Sequence, residues 1–319
     1  MKTRNIFIGL LIVLFPLLDS CSEKTVGPDY PVPQPETEIG RKLAGTEGIM
    51  ASLYSDTTYT LATGVQATEL AYLAWTGHSI RAFVFEVDLS QDDITISQTT
   101  PDHQQIGKKL QPVTRQALAC DAEDFYILGG SNADFFDTKG VTNLPHGVFH
   151  HEGVCYKNFF NPKIKRDMSF FDINDEKEAG IGLEEDYEAI AAEGHLFEVC
   201  GGGPLLVRGG NALKPVDSEE PRTCIGISED GKTVYILVVD GRRYEYSYGM
   251  TLSELALCMK AIGAYTAINL DGGGSSTFYV RDQRKSDTDP ERFVIRNWPT
   301  DNGGRERSVA SGLAIIKTK

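Results

Sequence analysis

The chain has 319 residues and a formal net charge of −14 at pH 7, with 31 Lys and Arg residues against 45 Asp and Glu residues. This acidic balance, without a block of basic residues, argues against nucleic acid as a partner. The six cysteines include no CxxC pair, which excludes a zinc ribbon and a thioredoxin-like motif. One disulfide could form outside the cytoplasm, with at least one thiol left free.

The first twenty residues have the pattern of a signal peptide. Lys2 and Arg4 precede an apolar run from Ile6 to Leu18, which is shorter than the ~20 apolar residues of a membrane-spanning helix. The next residues lead to Cys21 in a way similar to the cleavage site of bacterial lipoproteins. We therefore expect export to the periplasm or cell surface, with a lipid anchor at Cys21. Secretion without lipid is the alternative, because Asp19 departs from the small residues of such sites.

Residues 21–35 are polar and contain four prolines, so they are expected to form an extended tether. The folded part is expected over residues 36–319, a length that suits one large domain. Its mixture of strand and helix patterns predicts an α+β fold, with mixed β-sheets and packed helices.

The first half of this region reads mainly as strands. In Ile80 to Val87, one face carries Phe83, Phe85 and Val87 and is the expected core side. Further strands are predicted at Thr58 to Ala62, Ile94 to Ser97 and Phe125 to Leu128, the last ended by Gly129 and Gly130. Pro112 opens a helix whose apolar positions are Val113, Ala117 and Cys120. The acidic stretch Asp172 to Glu188 is expected to be a solvated surface insertion.

The second half has stronger signals. Cys224 to Ser228 and Thr233 to Val239 are predicted to form a hairpin through Asp230-Gly231, with the second run as a buried central strand. Thr251 and Glu254 form a capping box at the start of a helix that Gly263 can end. The buried face of this helix is expected to hold Leu255, Cys258, Met259 and Ile262.

Three loops stand out as candidate site elements. Asp271 ends a predicted strand, Ala264 to Leu270, and is followed by three glycines, Ser275 and Ser276, before the chain returns as Thr277 to Val280. Such a loop exposes backbone N–H groups to an anion, although a tight hairpin would need the same glycines. The other two loops are Gly201 to Pro204 and Asn132 to Asp137.

Taken together and in order, these segments resemble the phosphodiester glycosidase family. The matching segments are Asn132 to Phe136, Gly201 to Val207, Arg222-Thr223 with Gly226, Asp240-Gly241-Arg242, Leu252 to Ala256, Asn269 to Thr277, and Arg307-Ser308-Val309. Ala133, Asp134 and the acidic insertion depart from the family pattern. The resemblance implies a single catalytic domain that hydrolyses a sugar 1-phosphodiester, such as that of N-acetylglucosamine, to free sugar and a phosphomonoester. We predict no cofactor.

The resemblance also implies roles for individual residues. Asp271 is the first candidate for the carboxylate that stabilises or attacks the positively charged sugar, with Asp240 and Asp134 as candidates for a second catalytic carboxylate. The candidate substrate-binding residues offer guanidinium groups, amides and hydroxyls; they are Asn132, Arg222, Gly202, Gly203, Gly272, Gly273, Ser275, Ser276 and Arg307. We expect Asp271, Arg222 and Arg307 to converge on one cavity.

Each of these residues also has a structural alternative. Arg222 and Arg307 could pair with surface acids in so acidic a chain, and Asp240 could serve only its Asp-Gly turn. Asn132 and Asp134 could hold a loop through bonds to the backbone.

Other functions remain open at this level. The domain could bind a glycan or phosphoglycan without cleaving it. A serine esterase is ranked last, because the runs Gly129 to Ala133 and Gly273 to Thr277 lack the second glycine of a Gly-x-Ser-x-Gly elbow. His146, His150 and His151 have helical zinc-ligand spacing, yet Pro145 and Gly147 disfavour a helix, so no metal is predicted. Membrane contact is expected only through the lipid anchor, and the oligomeric state is not predicted.

Overall fold

The computed structural model describes residues 33–138, 142–301 and 303–318. The expected signal peptide and residues 21–32 of the expected tether lie outside the described residues, so both stay predictions. The strands within the described part are β1 (Met50–Ala62), β2 (Val65–Ala74), β3 (Ser79–Asp88), β4 (Ile94–Thr99), β5 (Tyr126–Asn132), β6 (Phe149–His151), β7 (Val154–Lys157), β8 (Ser169–Asn174), β9 (Ala179–Leu183), β10 (Leu196–Gly202), β11 (Leu205–Arg208), β12 (Asn211–Ala212), β13 (Arg222–Ile227), β14 (Thr233–Val239), β15 (Thr266–Asn269), β16 (Phe278–Arg281), β17 (Phe293–Ile295) and β18 (Gly312–Lys317). The helices are α1 (Glu38–Ala44), α2 (Val113–Cys120), α3 (Tyr187–Glu193) and α4 (Leu252–Ile262).

The strands form three sheets, in which the pairings between named strands are antiparallel. Sheet 1 has the order β1-β2-β3-β14-β13-β15-β11-β12, sheet 2 the order β7-β6-β10-β8-β9, and sheet 3 the order β17-β16-β5-β18-β4. The fold is therefore a mixture of helices and sheets in which sheet dominates. No helix in the described part of the chain is long and apolar enough to cross a membrane.

Sheet 1 is buried on both faces, because α1 and α4 pack on one side and sheets 2 and 3 on the other. Val84, Leu237 and Leu255 belong to the helix-side core. Phe85 and Ile236 belong to the core shared with sheets 2 and 3. The expectation of a single core face on β3 is thus wrong, since side chains on both of its faces are buried. Two outer cores place α2 against sheet 3 and α3 against sheet 2.

Two other expectations from the first half are corrected. Gly129 and Gly130 do not end their strand; β5 continues to Asn132 because β16 and β18 pair with it on both sides. The acidic stretch from Asp172 is not a surface insertion, because β8 and β9 are strands of sheet 2 and Asp172 itself is only 8% exposed.

The predictions for the second half are confirmed more closely. β13 and β14 form the expected hairpin, with φ +69° at Gly231, and β14 lies centrally between β13 and β3. The Thr251 hydroxyl accepts from the Glu254 backbone N–H at 3.2 Å, and the Glu254 carboxylate accepts from the Thr251 N–H at 2.9 Å, completing the capping box of α4. The five cysteines in the described residues are free thiols, and Cys258 is buried in α4 as expected.

Candidate active site

The three sheets meet at the ends of β5, β10 and β15, and this junction holds the strongest candidate site. Asp134 follows β5, and Asp271 follows β15. The Asp271 N–H donates to the Ala133 carbonyl at 3.1 Å, which joins sheet 1 to sheet 3. The Gly203 N–H donates to the Asn269 carbonyl at 2.7 Å, which joins the end of β10 to β15. Backbone bonds between sheets therefore fix the positions of both aspartates.

The loop between β15 and β16 is a crossing between sheets and not a tight hairpin. β15 pairs with β11 and β13 in sheet 1, whereas β16 pairs with β5 and β17 in sheet 3. Gly273–Ser275 forms a single 3₁₀ turn within this crossing. The loop therefore carries Asp271 and Ser275 across the junction.

Asp134 is a buried carboxyl group with an incomplete set of hydrogen bonds. It is 2% exposed, and its Oδ2 accepts from the Gly147 backbone N–H at 2.6 Å. Its Oδ1 is buried and has no hydrogen-bond partner among the described residues. Burial raises the pKa of Asp134 to about 7; the negative charge of Asp271 adds to the rise, and Lys157 and Arg166 oppose it. Asp134 can therefore carry a proton near neutral pH.

Asp271 is the less buried residue of the two, since it is of intermediate exposure whereas Asp134 is buried. Desolvation by the surrounding protein raises its pKa to about 6. A hydrogen bond with the Ser275 side chain and the charges of Arg307 and Arg166 limit that rise. Because the charge of Asp271 also disfavours ionisation of Asp134, Asp134 is the more protonated of the two near neutral pH.

Arg166 is the cation that faces both aspartates, and sequence reasoning missed it. Its charge acts on Asp134 and on Asp271, and its guanidinium lies 3.6 Å from the centre of the Phe135 ring. Within the described ranges, the guanidinium makes no hydrogen bond or ion pair. Arg166 lies in a loop between β7 and β8 outside the recognised motifs, and its neighbours Lys163 and Lys165 were the only available signal: a short basic run in an acidic chain.

Lys157 supports the turn that contacts Asp134. Its ammonium group is buried and donates to the Gly147 carbonyl at 2.7 Å, the His146 carbonyl at 3.1 Å and the Phe159 carbonyl. Burial lowers the pKa of Lys157 to about 8, and Asp134 counteracts this effect. The lysine therefore anchors the backbone that presents the Gly147 N–H to Asp134.

The glycines of the candidate loops permit close packing around charged groups. A Cβ added to Gly201 would lie 2.6 Å from Asp134 Oδ2 and 2.5 Å from the Gly147 Cα atom. Gly273 has φ +62°, and an added Cβ would lie 3.0 Å from a guanidinium nitrogen of Arg242. Gly203 and Gly273 were expected to donate their N–H groups to substrate. These N–H groups instead donate to the Asn269 and Pro221 carbonyls. A Cβ added to Gly202 would lie 2.8 Å from the Asn269 carbonyl oxygen, and the Gly272 N–H favours the ionised form of Asp271.

Asn132 links the two aspartate-bearing segments. Its side-chain amide donates to the Asp271 carbonyl at 2.6 Å, and its oxygen accepts from Thr223 at 2.8 Å and from the Thr277 N–H at 3.1 Å. It is only 1% exposed. The structural alternative for Asn132 is therefore the better supported one: it positions Asp271.

Ser275, Arg307 and Asp301 form the other side of the site. Arg307 donates to the Ser275 hydroxyl at 3.3 Å and pairs with Asp301, which also accepts from Arg242 at 2.7 Å. Ser276 is buried, and its hydroxyl has no partner within the described ranges. Arg307 thus lies near Asp271, as expected.

Arg222 and Asp240 are placed differently from this group. The Arg222 guanidinium donates to the Met250 carbonyl at 2.9 Å and pairs with Asp217, and the charges that act on it are those of Asp217, Glu220 and Arg242. The structure therefore does not bring the Arg222 side chain to Asp271, contrary to the expected convergence. The Asp240 carboxylate accepts from the Asn297 amide at 2.9 Å, the Trp298 N–H at 2.8 Å and the Tyr246 hydroxyl at 3.2 Å. These bonds give Asp240 a structural role in holding the Trp298 loop.

The histidines do not form a metal centre in the described part of the chain, where no group of three or more His, Cys, Asp and Glu residues is arranged to bind a metal ion. His150 and His151 lie on strand β6. His146 stacks on Phe135 at the edge of the site, and burial together with the charge of Arg166 lowers its pKa. The arrangement can therefore offer a neutral imidazole, two coupled carboxyl groups and guanidinium groups to one ligand.

The chain is similar to one known protein family and to several solved structures. A model of the phosphodiester glycosidase family matches residues 126–316. No curated protein matched the chain. Among solved structures, the catalytic domain of zebrafish N-acetylglucosamine-1-phosphodiester alpha-N-acetylglucosaminidase, auto-inhibited by its pro-peptide, is similar with a TM-score of 0.61 and 18% identity, over 83% of this chain and 88% of that one.

Two bacterial structures are also similar in fold. A protein from Synechocystis has a TM-score of 0.56 and 12% identity, over 82% of this chain and 64% of that one. A protein from Burkholderia pseudomallei K96243 has a TM-score of 0.56 and 13% identity, over 90% of this chain and all (100%) of that one. At these identities the structural matches establish the fold alone.

Proposed function

The chain belongs to the phosphodiester glycosidase family, and from this premise we propose that it hydrolyses a sugar 1-phosphodiester, with N-acetylglucosamine 1-phosphodiesters as the first substrates to test. In this reaction the bond between the anomeric carbon and the phosphate oxygen breaks. Water adds its hydroxyl group to the anomeric carbon and its proton to the released phosphate. The products are the free sugar and a phosphomonoester that keeps the other alcohol.

Asp271 is proposed to act on the sugar. Glycosidic bonds break through a transition state with positive charge on the sugar ring, which a carboxylate can stabilise or attack. Asp271 is partly exposed, and the Ser275 side chain and nearby arginines favour its ionised form. It is therefore the better placed of the two aspartates for this task.

Asp134 is proposed to exchange the proton. Its carboxyl group has a pKa of about 7 because it is buried, and one of its oxygens has no partner in the described ranges. A carboxyl group that titrates near the working pH can activate water as a base and can donate a proton as an acid. We propose that the protonated form of Asp134 first donates its proton to the departing phosphate oxygen and that the ionised form then activates water.

Arg166 and Arg307 are proposed to bind the phosphodiester. A guanidinium group meets phosphate oxygens with two parallel hydrogen bonds, and Arg166 makes no hydrogen bond or ion pair with any described residue. This arrangement, an uncommitted guanidinium beside two coupled carboxyl groups, is the observation that carries the proposal.

The test is a screen of the purified protein against sugar 1-phosphodiesters, with release of free sugar as the readout. We expect turnover of at least one substrate, and loss of turnover in Asp271→Asn. Asp93→Asn is the matched control, because Asp93 is a surface carboxylate paired with Lys317. Retained turnover in Asp271→Asn would refute the assignment, and binding without sugar release by the wild type would favour a glycan-binding protein.

We likewise propose that the protein is exported and anchored by lipid at Cys21. The support is the sequence pattern of residues 1–21. Expression of the full chain and of Cys21→Ser, followed by membrane fractionation, tests this location. A wild-type protein found free of membranes would refute the anchor.

A further inference from the structure

A groove of about 620 Å³ opens beside Arg166 on the surface between sheets 1 and 2. We call it the Arg166 groove; its walls include Met168, Ser169, Leu205, Arg208 and Lys214. A volume of this size is typical of sites for small organic ligands. Neither Asp134 nor Asp271 is among the residues that line it, so the groove is distinct from the space around the two carboxyl groups.

Two features of this groove are those of a binding site. Ser169 is 1% exposed, and its hydroxyl group has no hydrogen-bond partner among the described residues. A buried hydroxyl group without a hydrogen-bond partner lowers the stability of the fold, and a ligand that bonds to it would remove this destabilisation. In addition, Arg208 and Lys214 make no ion pair within the described ranges, although the chain carries many more acidic than basic residues. Their charges are therefore available to a ligand.

The position of Arg166 sets the direction of the substrate. If Arg166 binds the phosphate, the sugar lies toward Asp271 and the second alcohol of the diester extends to the opposite side. The Arg166 groove is the cavity available to that alcohol, because Arg166 lines the groove and also interacts electrostatically with Asp134 and Asp271.

We propose that the Arg166 groove binds the aglycone, the alcohol that stays on the phosphate, and that this aglycone is a polyol with a second negative charge. The proposal rests on the proposed hydrolysis of a sugar 1-phosphodiester. Ser169 bonds to a hydroxyl group of the aglycone, and the wall formed by Arg208 and Lys214 binds its additional anionic group. The acidic residues Asp167, Glu184 and Glu185 also line the groove, so Arg208 and Lys214 are the lining residues beyond Arg166 that can attract an anion.

The experiment compares three esters of N-acetylglucosamine 1-phosphate, in which the aglycone is methanol, glycerol or glycerol 3-phosphate. We expect the wild type to prefer the glycerol 3-phosphate ester in kcat/KM. In the double variant Arg208→Gln/Lys214→Gln, the preference for the charged ester over the methyl ester should fall about five- to tenfold. The control is Lys108→Gln/Lys260→Gln, which removes two exposed lysines outside the groove and should keep the preference.

A second readout does not depend on turnover. Glycerol 1,3-bisphosphate, the product of the charged ester, should bind the wild type more tightly than methyl phosphate does in calorimetry, and Ser169→Ala and Arg208→Gln/Lys214→Gln should each reduce that difference.

If no ester releases sugar but this binding pattern holds, the proposed function fails and the groove assignment stands. If esters are hydrolysed with equal efficiency and the double variant affects all aglycones alike, the groove assignment fails and the proposed function stands. A double variant that changes the choice of sugar at constant methyl aglycone would place the sugar in the groove and overturn the proposal.

Discussion

The raised pKa values of Asp134 and Asp271 make the pH dependence of turnover a direct test of their roles. Burial raises the pKa of Asp134 to about 7 and that of Asp271 to about 6. If turnover needs ionised Asp271 and protonated Asp134, kcat/KM should fall below about pH 6 and again above about pH 7, with apparent values that belong to the pair.

Asp134→Asn separates the two limbs of this profile. The variant should be slower and should lose the fall at high pH, because Asn cannot ionise, while the fall at low pH remains. The measurement is kcat/KM for one turned-over phosphodiester between pH 4.5 and 9. A profile of the wild type that is flat over this range would contradict the assignment of both groups.

The two arginines Arg166 and Arg222 give a second prediction at the scale of residues. Arg166→Gln should lower kcat/KM by about 10²–10³, the range found when a donor to a developing charge is removed. Arg222→Gln should act mainly on stability, because it leaves Asp217 and the Met250 carbonyl without their guanidinium partner.

Steady-state kinetics and thermal unfolding of both variants distinguish the two arginines. The reverse outcome, with a catalytic defect confined to Arg222→Gln, would restore Arg222 as the phosphate ligand. The sequence favoured Arg222 because it lies in a recognised motif, whereas side-chain direction decides which guanidinium reaches the site. That direction depends on Asp217 and Met250, which no local pattern links to Arg222.

At the scale of elements, strong local signals were sufficient for much of the fold. The capping box of α4, the Asp-Gly turn between β13 and β14 and the apolar run of β14 each specify structure through neighbours in sequence. Each of these three predictions was confirmed. They build the centre of sheet 1 and the helix that packs on it.

The strands of sheet 2 could not be predicted in the same way. β8 and β9 were taken for a solvated insertion because the segment is rich in Asp and Glu. Phe171 and Ile173 are nevertheless buried against sheet 1, and Asp172 is nearly buried between them along β8. Tertiary packing here overrides composition, because the other acidic residues of the segment lie in the turn between β8 and β9 or after β9, and Asp172 is the one acidic residue within the two strands.

For the whole molecule, the site depends on contacts between segments far apart in the chain. Asn132 of sheet 3 bonds to the Asp271 carbonyl beyond sheet 1, and Gly201 of sheet 2 packs against Asp134. Of the candidates identified from the sequence, the fold brings together Asp134, Asp271, Arg307, Asn132 and Ser275. The sequence could not identify Arg166 and Lys157, because their functions arise only when sheet 2 meets the other two sheets.

Asp172 links the packing of sheet 2 to the stability of the whole molecule as a function of pH. Burial raises the pKa of Asp172 from 3.8 to about 7, so the ionised form is disfavoured in the folded protein. Its contribution to stability is therefore most favourable below about pH 4, and that contribution is lost as pH rises from about 4 to about 7.

Asp172→Asn removes this loss because Asn stays neutral. Relative to the wild type, the variant should gain about 1–3 kcal/mol in the free energy of unfolding at pH 8 and much less at pH 4. Chemical denaturation of both proteins at the two pH values measures this, with Asp93→Asn on the surface as the control that should show no such gain. An equal effect of Asp172→Asn at both pH values would mean that packing of the amide, and not ionisation of the carboxyl group, determines the difference.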